Sequence, residues 1–152
     1  MIDYHCHILP NIDDGPGMVD DSVAMAKALS DAGFTQVYCT PHLIKGFYEA
    51  DSQTVKTALH ALQDRLDEEN INIKLFPGRE YYLDEFLGNY LKDPLLLGET
   101  RFVMIEIPNH ADPDFTKETL FRIKRGGLVP MISHPERCSL LTVDQKKPPF
   151  WL

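Results

Sequence analysis

Two histidines one residue apart, His5 and His7, open the chain in Met1-Ile2-Asp3-Tyr4-His5-Cys6-His7, and Asp13-Asp14-Gly15 follows closely. Alternate residues of a strand share a face, so His5 and His7 point one way and Cys6 the other. Two imidazoles roughly 7 Å apart on one strand face can close on a single metal ion or bridge to a second. Further His and Glu residues recur along the chain: His42 in Thr40-Pro41-His42, Glu80 in Pro77-Gly78-Arg79-Glu80, Glu106 in Ile105-Glu106-Ile107, and His134 in Ser133-His134-Pro135. Imidazoles mixed with carboxylates suit manganese, iron or zinc better than magnesium or calcium alone. A bridging carboxylate such as Glu80 can hold two ions roughly 4 Å apart, lowering the pKa of a bound water for phosphoryl transfer. Arg137 has the paired donors that grip a phosphate oxygen; a surface ion pair with Glu136 is the competing reading.

The elements that must position these groups alternate between strand and helix. Strands are expected at Ile2–His7, Thr35–Thr40, Ile71–Phe76, Phe102–Ile107 and Leu128–Ser133, each apolar and bounded by turn residues. Between them, helices are expected over Ser22–Ala32, capped by Asp20 or Asp21 and ended by Gly33, and over about Ser52–Glu69. A short helix is expected near Leu83–Leu91 and another over Phe115–Lys124, ended by Gly126-Gly127. Near-continuous apolar strands separated by helices imply an α/β fold with a parallel sheet covered on both faces. In such folds the chemistry gathers at the carboxyl ends of strands. The candidate residues obey that rule, since every expected strand ends in a His or a Glu.

Bulk properties narrow the function. A chain of 152 residues, 43% hydrophobic and 25% charged, fits one globular domain with a real core. A net charge of −8 argues against a nucleic-acid surface. It also opposes anionic substrates unless bound cations invert the local field, as two or three divalent ions would by adding roughly +4 to +6. Three unpaired cysteines, 6, 39 and 138, indicate neither a disulfide framework nor a cysteine zinc site. Six positions beyond them stand Ile12, Lys45 and Asp144, so the Cys-to-Arg spacing of a cysteine phosphatase is missing. No nucleophile elbow supports a serine hydrolase. Neither a signal peptide nor a membrane span is evident, and a reducing cytoplasm is the simplest compartment. His60 and His110 read as a helix-surface and a loop residue, Leu95-Leu96-Leu97 as core, and Tyr81 and Tyr82 as packing or as a rim beside Glu80.

The stretches MIDYHCHILPNIDDG, CTPH, PGREYY, IEIPN and ISHPER resemble the PHP (polymerase and histidinol phosphatase) superfamily. Within it they are most similar to the bacterial manganese-dependent tyrosine-protein phosphatases of capsular and exopolysaccharide loci. The resemblance runs from Met1 to about Arg137. It implies a PHP-type distorted (β/α)7 barrel, a site for two or three manganese ions, and dephosphorylation of the tyrosine-rich tail of a tyrosine autokinase. By motif position, His5, His7, Asp14, His42, Glu80, Glu106 and His134 would be metal ligands, with Arg137 assisting at the phosphate. Asp14 is preferred to Asp13, although spacing does not separate adjacent carboxylates. The family continues past His-Pro-Glu-Arg and supplies a late Asp-x-His pair, which does not follow His134 here. The resemblance therefore implies a partial domain over residues 1–137, incomplete at its C-terminus, and an atypical tail over 138–152.

Two other readings stay open. The same superfamily acts on small phosphomonoesters such as histidinol phosphate, against which the Asp-Asp-Gly and Glu-Ile-Pro wording counts. An inactive truncated domain would at most bind metal or an autokinase partner.

Overall fold

The computed structural model describes residues 1–142. Among these residues, seven parallel-paired strands form two sheets. The first holds β1 (Ile2–Cys6), β2 (Gln36–Cys39) and β4 (Lys74–Pro77) in the order β1-β2-β4. The second holds β3 (His42–Leu43), β5 (Glu80–Tyr82), β6 (Phe102–Glu106) and β7 (Val129–Ile132) in the order β3-β5-β6-β7.

Five strands were expected, and seven form because two of the five bend and pass from one sheet to the other. The breaks fall at Thr40-Pro41 and at Gly78-Arg79, after Pro77. Proline has no N–H to give a ladder, so regular pairing stops there. Beyond each break the chain resumes as β3 and β5, which pair with each other as β2 and β4 do. The backbone N–H of Glu80 donates to the Pro41 carbonyl at 3.1 Å, carrying the pairing across the bend. The junction of the two sheets is thus where His42 and Glu80 stand.

Helices cover the sheets as the apolar spacing requires. In α2 (Ser52–Glu68), Val55, Leu59, Leu62 and Leu66 are all buried and pack against Val37, Cys39 and Leu75 of the first sheet. Asp51 caps this helix by accepting from the Thr54 N–H at 2.7 Å. Gln63 closes the exposed edge of β4: its amide donates to the Ile73 carbonyl and accepts from the Leu75 N–H. α1 (Val19–Asp31) departs from expectation at its start. Its cap is Met18, which forms no side-chain cap bond, while Asp20 and Asp21 lie inside the first turn, where they complement the helix dipole.

A second core sits beneath α4 (Pro113–Arg125), built from Val103, Ile105, Ile107, Ile123 and Leu87. The Asp112 side chain caps α4 through the Phe115 N–H. The helix expected near 83–91 shrinks to α3 (Leu87–Tyr90), because the Asp84 carboxylate accepts from the Phe86 and Leu87 N–H groups and holds the preceding residues in a turn. Of the expected tail, Cys138 is buried in the second core, and Ser139–Thr142 forms one helical turn, α5. The rest of that tail, 143–152, lies outside the described residues. Among the described residues, no helix is long and apolar enough to cross a membrane.

Candidate metal centre

Glu80 is the hub. Its side chain is fully buried, and four imidazoles converge on its carboxylate. Oε2 lies 3.2 Å from His5 Nε2, 3.2 Å from His7 Nε2 and 3.1 Å from His42 Nδ1, while Oε1 lies 2.9 Å from His134 Nε2. Despite these distances both carboxylate oxygens, and His42 Nδ1, are buried without an aligned hydrogen-bond partner. Buried polar atoms left in that condition are costly. A set of nitrogen and oxygen lone pairs facing one another is the donor chemistry of cation ligation rather than of a hydrogen-bond network.

Except for Asp14, which lies in a loop, each expected ligand stands at or just beyond a strand terminus. β1 carries a register irregularity between Asp3 and Cys6, and His7 stands just beyond its end. His5 Nε2 and His7 Nε2 lie 3.1 Å apart. His42 opens β3 and is the register partner of Glu80, which opens β5. Glu106 ends β6, with one oxygen 3.6 Å from His42 Nδ1 and the other 3.9 Å from His134 Nε2. His134 follows β7 with a φ of 27°, in the left-handed region that costs a non-glycine residue energy and that marks functional positions.

The Asp-Asp-Gly loop divides the labour between its carboxylates. The Asp13 side chain is buried and faces inward, taking hydrogen bonds from His7 Nδ1 at 2.6 Å, the His42 N–H at 2.9 Å and the Gly15 N–H at 3.0 Å. Occupied in this way, it orients His7 so that Nε2 faces the cluster. Asp14 is half exposed, and its Oδ1 lies 3.6 Å from His7 Nδ1 and 3.9 Å from His42 Nε2. Gly15 is demanded by close approach, since a β-carbon there would collide with the His7 carbonyl oxygen.

Among the described residues, three groups have ligand atoms within 4.8 Å of one another: His5, His7 and Glu80; His7, Asp14 and His42; His42, Glu80 and Glu106. His134 falls outside these triplets but touches two of them through Glu80 and Glu106. All seven expected ligands and Arg137 line a single cavity of about 550 Å³. Arg137 lies exposed in the 3₁₀ turn Pro135–Arg137, and among the described residues it forms no ion pair with Glu136.

The electrostatics follow from this crowding. Burial opposes charge on His7, but its contacts with Asp13 and Glu80 prevail and push its pKa up to about 10. Burial likewise opposes ionisation of Glu80, yet the neighbouring His5 and His7 imidazoles hold its carboxyl far below the usual range. Asp13 is also held low, its burial outweighed by His7 and by the backbone donors of His42 and Gly15. Burial, with Asp3 and Asp13 nearby, pushes the Cys6 thiol up to about 12, which favours the neutral thiol over the thiolate.

Two contributors escaped sequence reasoning. Arg79, nearly fully buried, donates through Nη1 to the His42 carbonyl at 3.4 Å and sets a positive charge behind the cluster near Asp13 and Asp51. Tyr48 stacks on His42, with ring centroids 5.8 Å apart and planes 13° from parallel. Neither has a periodic signal, although Arg79 directly precedes Glu80. The bland readings elsewhere agree with the structure. His60 and His110 are exposed, Leu95 and Leu97 are core, and the Tyr81 hydroxyl accepts from the buried Leu95 N–H.

The fold is a parallel α/β array with a polydentate His/carboxylate centre at its strand ends, matching the PHP-type fold of metal-dependent phosphatases. The family model for capsular polysaccharide synthesis proteins CpsB/CapC matches residues 1–148, and the chain belongs to that family. Tyrosine-protein phosphatase YwqE of Bacillus subtilis (strain 168) is 37% identical over 139 residues, which is 90% of this chain and 55% of YwqE. Tyrosine-protein phosphatase CpsB of Streptococcus pneumoniae is 27% identical, over 97% of this chain and 61% of CpsB. A solved chain from the crystal structures of YwqE from Bacillus subtilis and CpsB from Streptococcus pneumoniae, described as unique metal-dependent tyrosine phosphatases, superimposes with a TM-score of 0.83. It shares 35% identity, over 91% of this chain and 57% of that one. The chain thus spans between about half and three fifths of the length of these relatives.

Proposed function

We propose that this chain carries the metal-binding and phosphate-binding part of a manganese-dependent protein-tyrosine phosphatase. Its substrate would be phosphotyrosine in the tail of a tyrosine autokinase, on the cytoplasmic side of capsule or exopolysaccharide synthesis. The observation that carries this reading is the buried Glu80 carboxylate, ringed by four imidazoles yet without a geometrically aligned hydrogen bond. Membership of the CpsB/CapC family supports it, as does the likeness to metal-dependent tyrosine phosphatases.

In this account His5, His7, Asp14, His42, Glu80, Glu106 and His134 hold two or three divalent ions. Bound there, the ions would offset the acidic charge around a phosphate and supply an activated water. The protein's own contributions are separable. Glu80 reaches all four imidazoles with two oxygens, which suits a bridging ligand. Asp13 fixes the orientation of His7 and, through the His42 N–H, the start of β3. Arg137 lines the same cavity, which supports a role in donating paired N–H groups to phosphate oxygens. Hydrolysis breaks the phosphorus–oxygen bond to tyrosine, joins water oxygen to phosphorus, and returns a proton to the phenol.

The discriminating experiment compares phosphate release from a phosphotyrosine peptide and from histidinol phosphate, with and without manganese. Manganese-dependent release from the peptide alone supports the proposal. Preference for histidinol phosphate points to the small-substrate reading, and turnover of neither by folded protein to an inactive domain.

A further inference from the structure

A second concavity opens beside the metal centre. Its cavity of about 420 Å³ has one wall from the segment after β3, with Ile44, Phe47 and Tyr48, and another from the segment after β5, with Tyr82 and Phe86. That size is within the range of ligand sites. The two walls are continuations of the strands that deliver His42 and Glu80. Tyr48 is stacked on His42, and Tyr82 is the register partner of Glu106, so the groove is contiguous with the centre.

Phe47 is the unusual residue. At 80% it is the most exposed large hydrophobic side chain among the described residues. A tight turn holds it out: the Phe47 and Tyr48 N–H groups both donate to the Ile44 carbonyl, and Ile44 donates back to Tyr48. Gly46 supplies the required left-handed conformation at φ 81°. A lone exposed aromatic is ordinary, but one fixed on a short turn opposite a second exposed aromatic, Phe86, beside a polar site is a recognition feature. The groove is also charged. Lys45 also lines it, but its ammonium is held by the Glu49 carboxylate at 2.6 Å. The Asp84 carboxylate is engaged by backbone N–H groups, and Glu85 stands exposed at the same wall, so the balance is acidic.

We infer that this groove selects the substrate of the proposed phosphatase: it receives the residues next to a phosphotyrosine, taking an apolar or aromatic side chain against Phe47 and Phe86 and a basic one facing Glu85. The inference rests on the phosphatase reading and adds a specificity-determining surface to it. Continuity with the centre and the sign of the charge favour a basic, aromatic-containing peptide as the occupant.

The test measures binding to the manganese-loaded chain, with phenylphosphonate as the small probe and non-hydrolysable phosphonate analogues of phosphotyrosine peptides as the large ones. Phe47→Ala removes an exposed side chain and leaves the core intact. It is expected to weaken an aromatic, Lys-containing peptide about tenfold and leave phenylphosphonate unchanged. Glu85→Lys is expected to reverse the preference for Lys-containing over Glu-containing peptides. Unchanged peptide affinity in Phe47→Ala, or an unchanged charge preference in Glu85→Lys, overturns the groove assignment while leaving the centre intact. Failure of the wild-type chain to bind phenylphosphonate overturns the phosphatase reading itself, and the groove's assignment with it.

Discussion

His42 and Glu80 are register partners at the first residues of two paired parallel strands, with His42 Nδ1 3.1 Å from Glu80 Oε2. The bend that ends β2 and β4 therefore does two things. It starts a new sheet, and it turns an imidazole and a buried carboxylate toward a common point. Replacing Glu80 by the isosteric Gln preserves shape but removes the charge and one acceptor. Glu80→Gln is expected to weaken manganese binding by at least about 100-fold, since the loss should exceed that of an outer ligand-orienting group. Titration calorimetry checks this, and near-wild-type affinity would remove Glu80 from the ligand set.

Asp13 and Asp14 predict different phenotypes despite being adjacent. Asp13 binds His7 and two backbone N–H groups, so Asp13→Asn should lower manganese affinity about 10- to 100-fold through misorientation of His7. It should also lower the melting temperature, because a buried hub is disturbed. Asp14→Asn, at a half-exposed side chain, should affect affinity with little change in melting temperature. Paired calorimetry and thermal melts separate the two roles.

Manganese binding must compete with a proton on His7. The folded, metal-free chain holds that imidazole at about 10 against an ordinary 6.5. At pH 7–8 metal entry should therefore release protons, and apparent affinity should rise with pH. Calorimetry in buffers of different ionisation enthalpy reads the proton count directly. No proton release at neutral pH would contradict the His7 assignment.

The same shifts set the stability of the metal-free chain. A raised histidine pKa favours the folded state fully below about pH 6.5, and the contribution fades as pH climbs toward about 10. The depressed carboxyls of Glu80 and Asp13 act in the opposite direction: their contribution is full above about pH 4.5 and fades on acidification. Urea melts of metal-free protein should show greatest stability between about pH 5 and 7, and added manganese should extend it to higher pH.

Gly15 gives a steric test. A β-carbon there meets the His7 carbonyl, so Gly15→Ala should displace the Asp13–Asp14 loop and cost about 2 kcal/mol of stability. Gly17→Ala, where the added carbon meets nothing, should leave stability within about 0.5 kcal/mol.

Much of this arrangement was legible in the amino-acid order. The helix expected over about Ser52–Glu69 forms as α2, with Val55, Leu59, Leu62 and Leu66 at helical spacing on its buried face, and the expected His and Glu positions all reach one cavity. What pattern reading missed is set by local breaks and side-chain hydrogen bonds. Pro41 and Pro77 read as strand ends, but whether the chain then turns away or resumes in another sheet depends on its partners across space. Asp20 and Asp21 looked like caps, yet the helix begins one residue before Asp20. The separate tasks of Asp13 and Asp14 follow from which one the loop turns inward, and identical side chains at adjacent positions carry no such information.

The most direct test of the central claim is phosphate release from a phosphotyrosine peptide by this chain, measured with manganese, with chelator, and in His42→Ala and Glu106→Ala. The account predicts release that depends on manganese and is abolished in both variants. Equal release with chelator present, or wild-type rates in both variants, would contradict it.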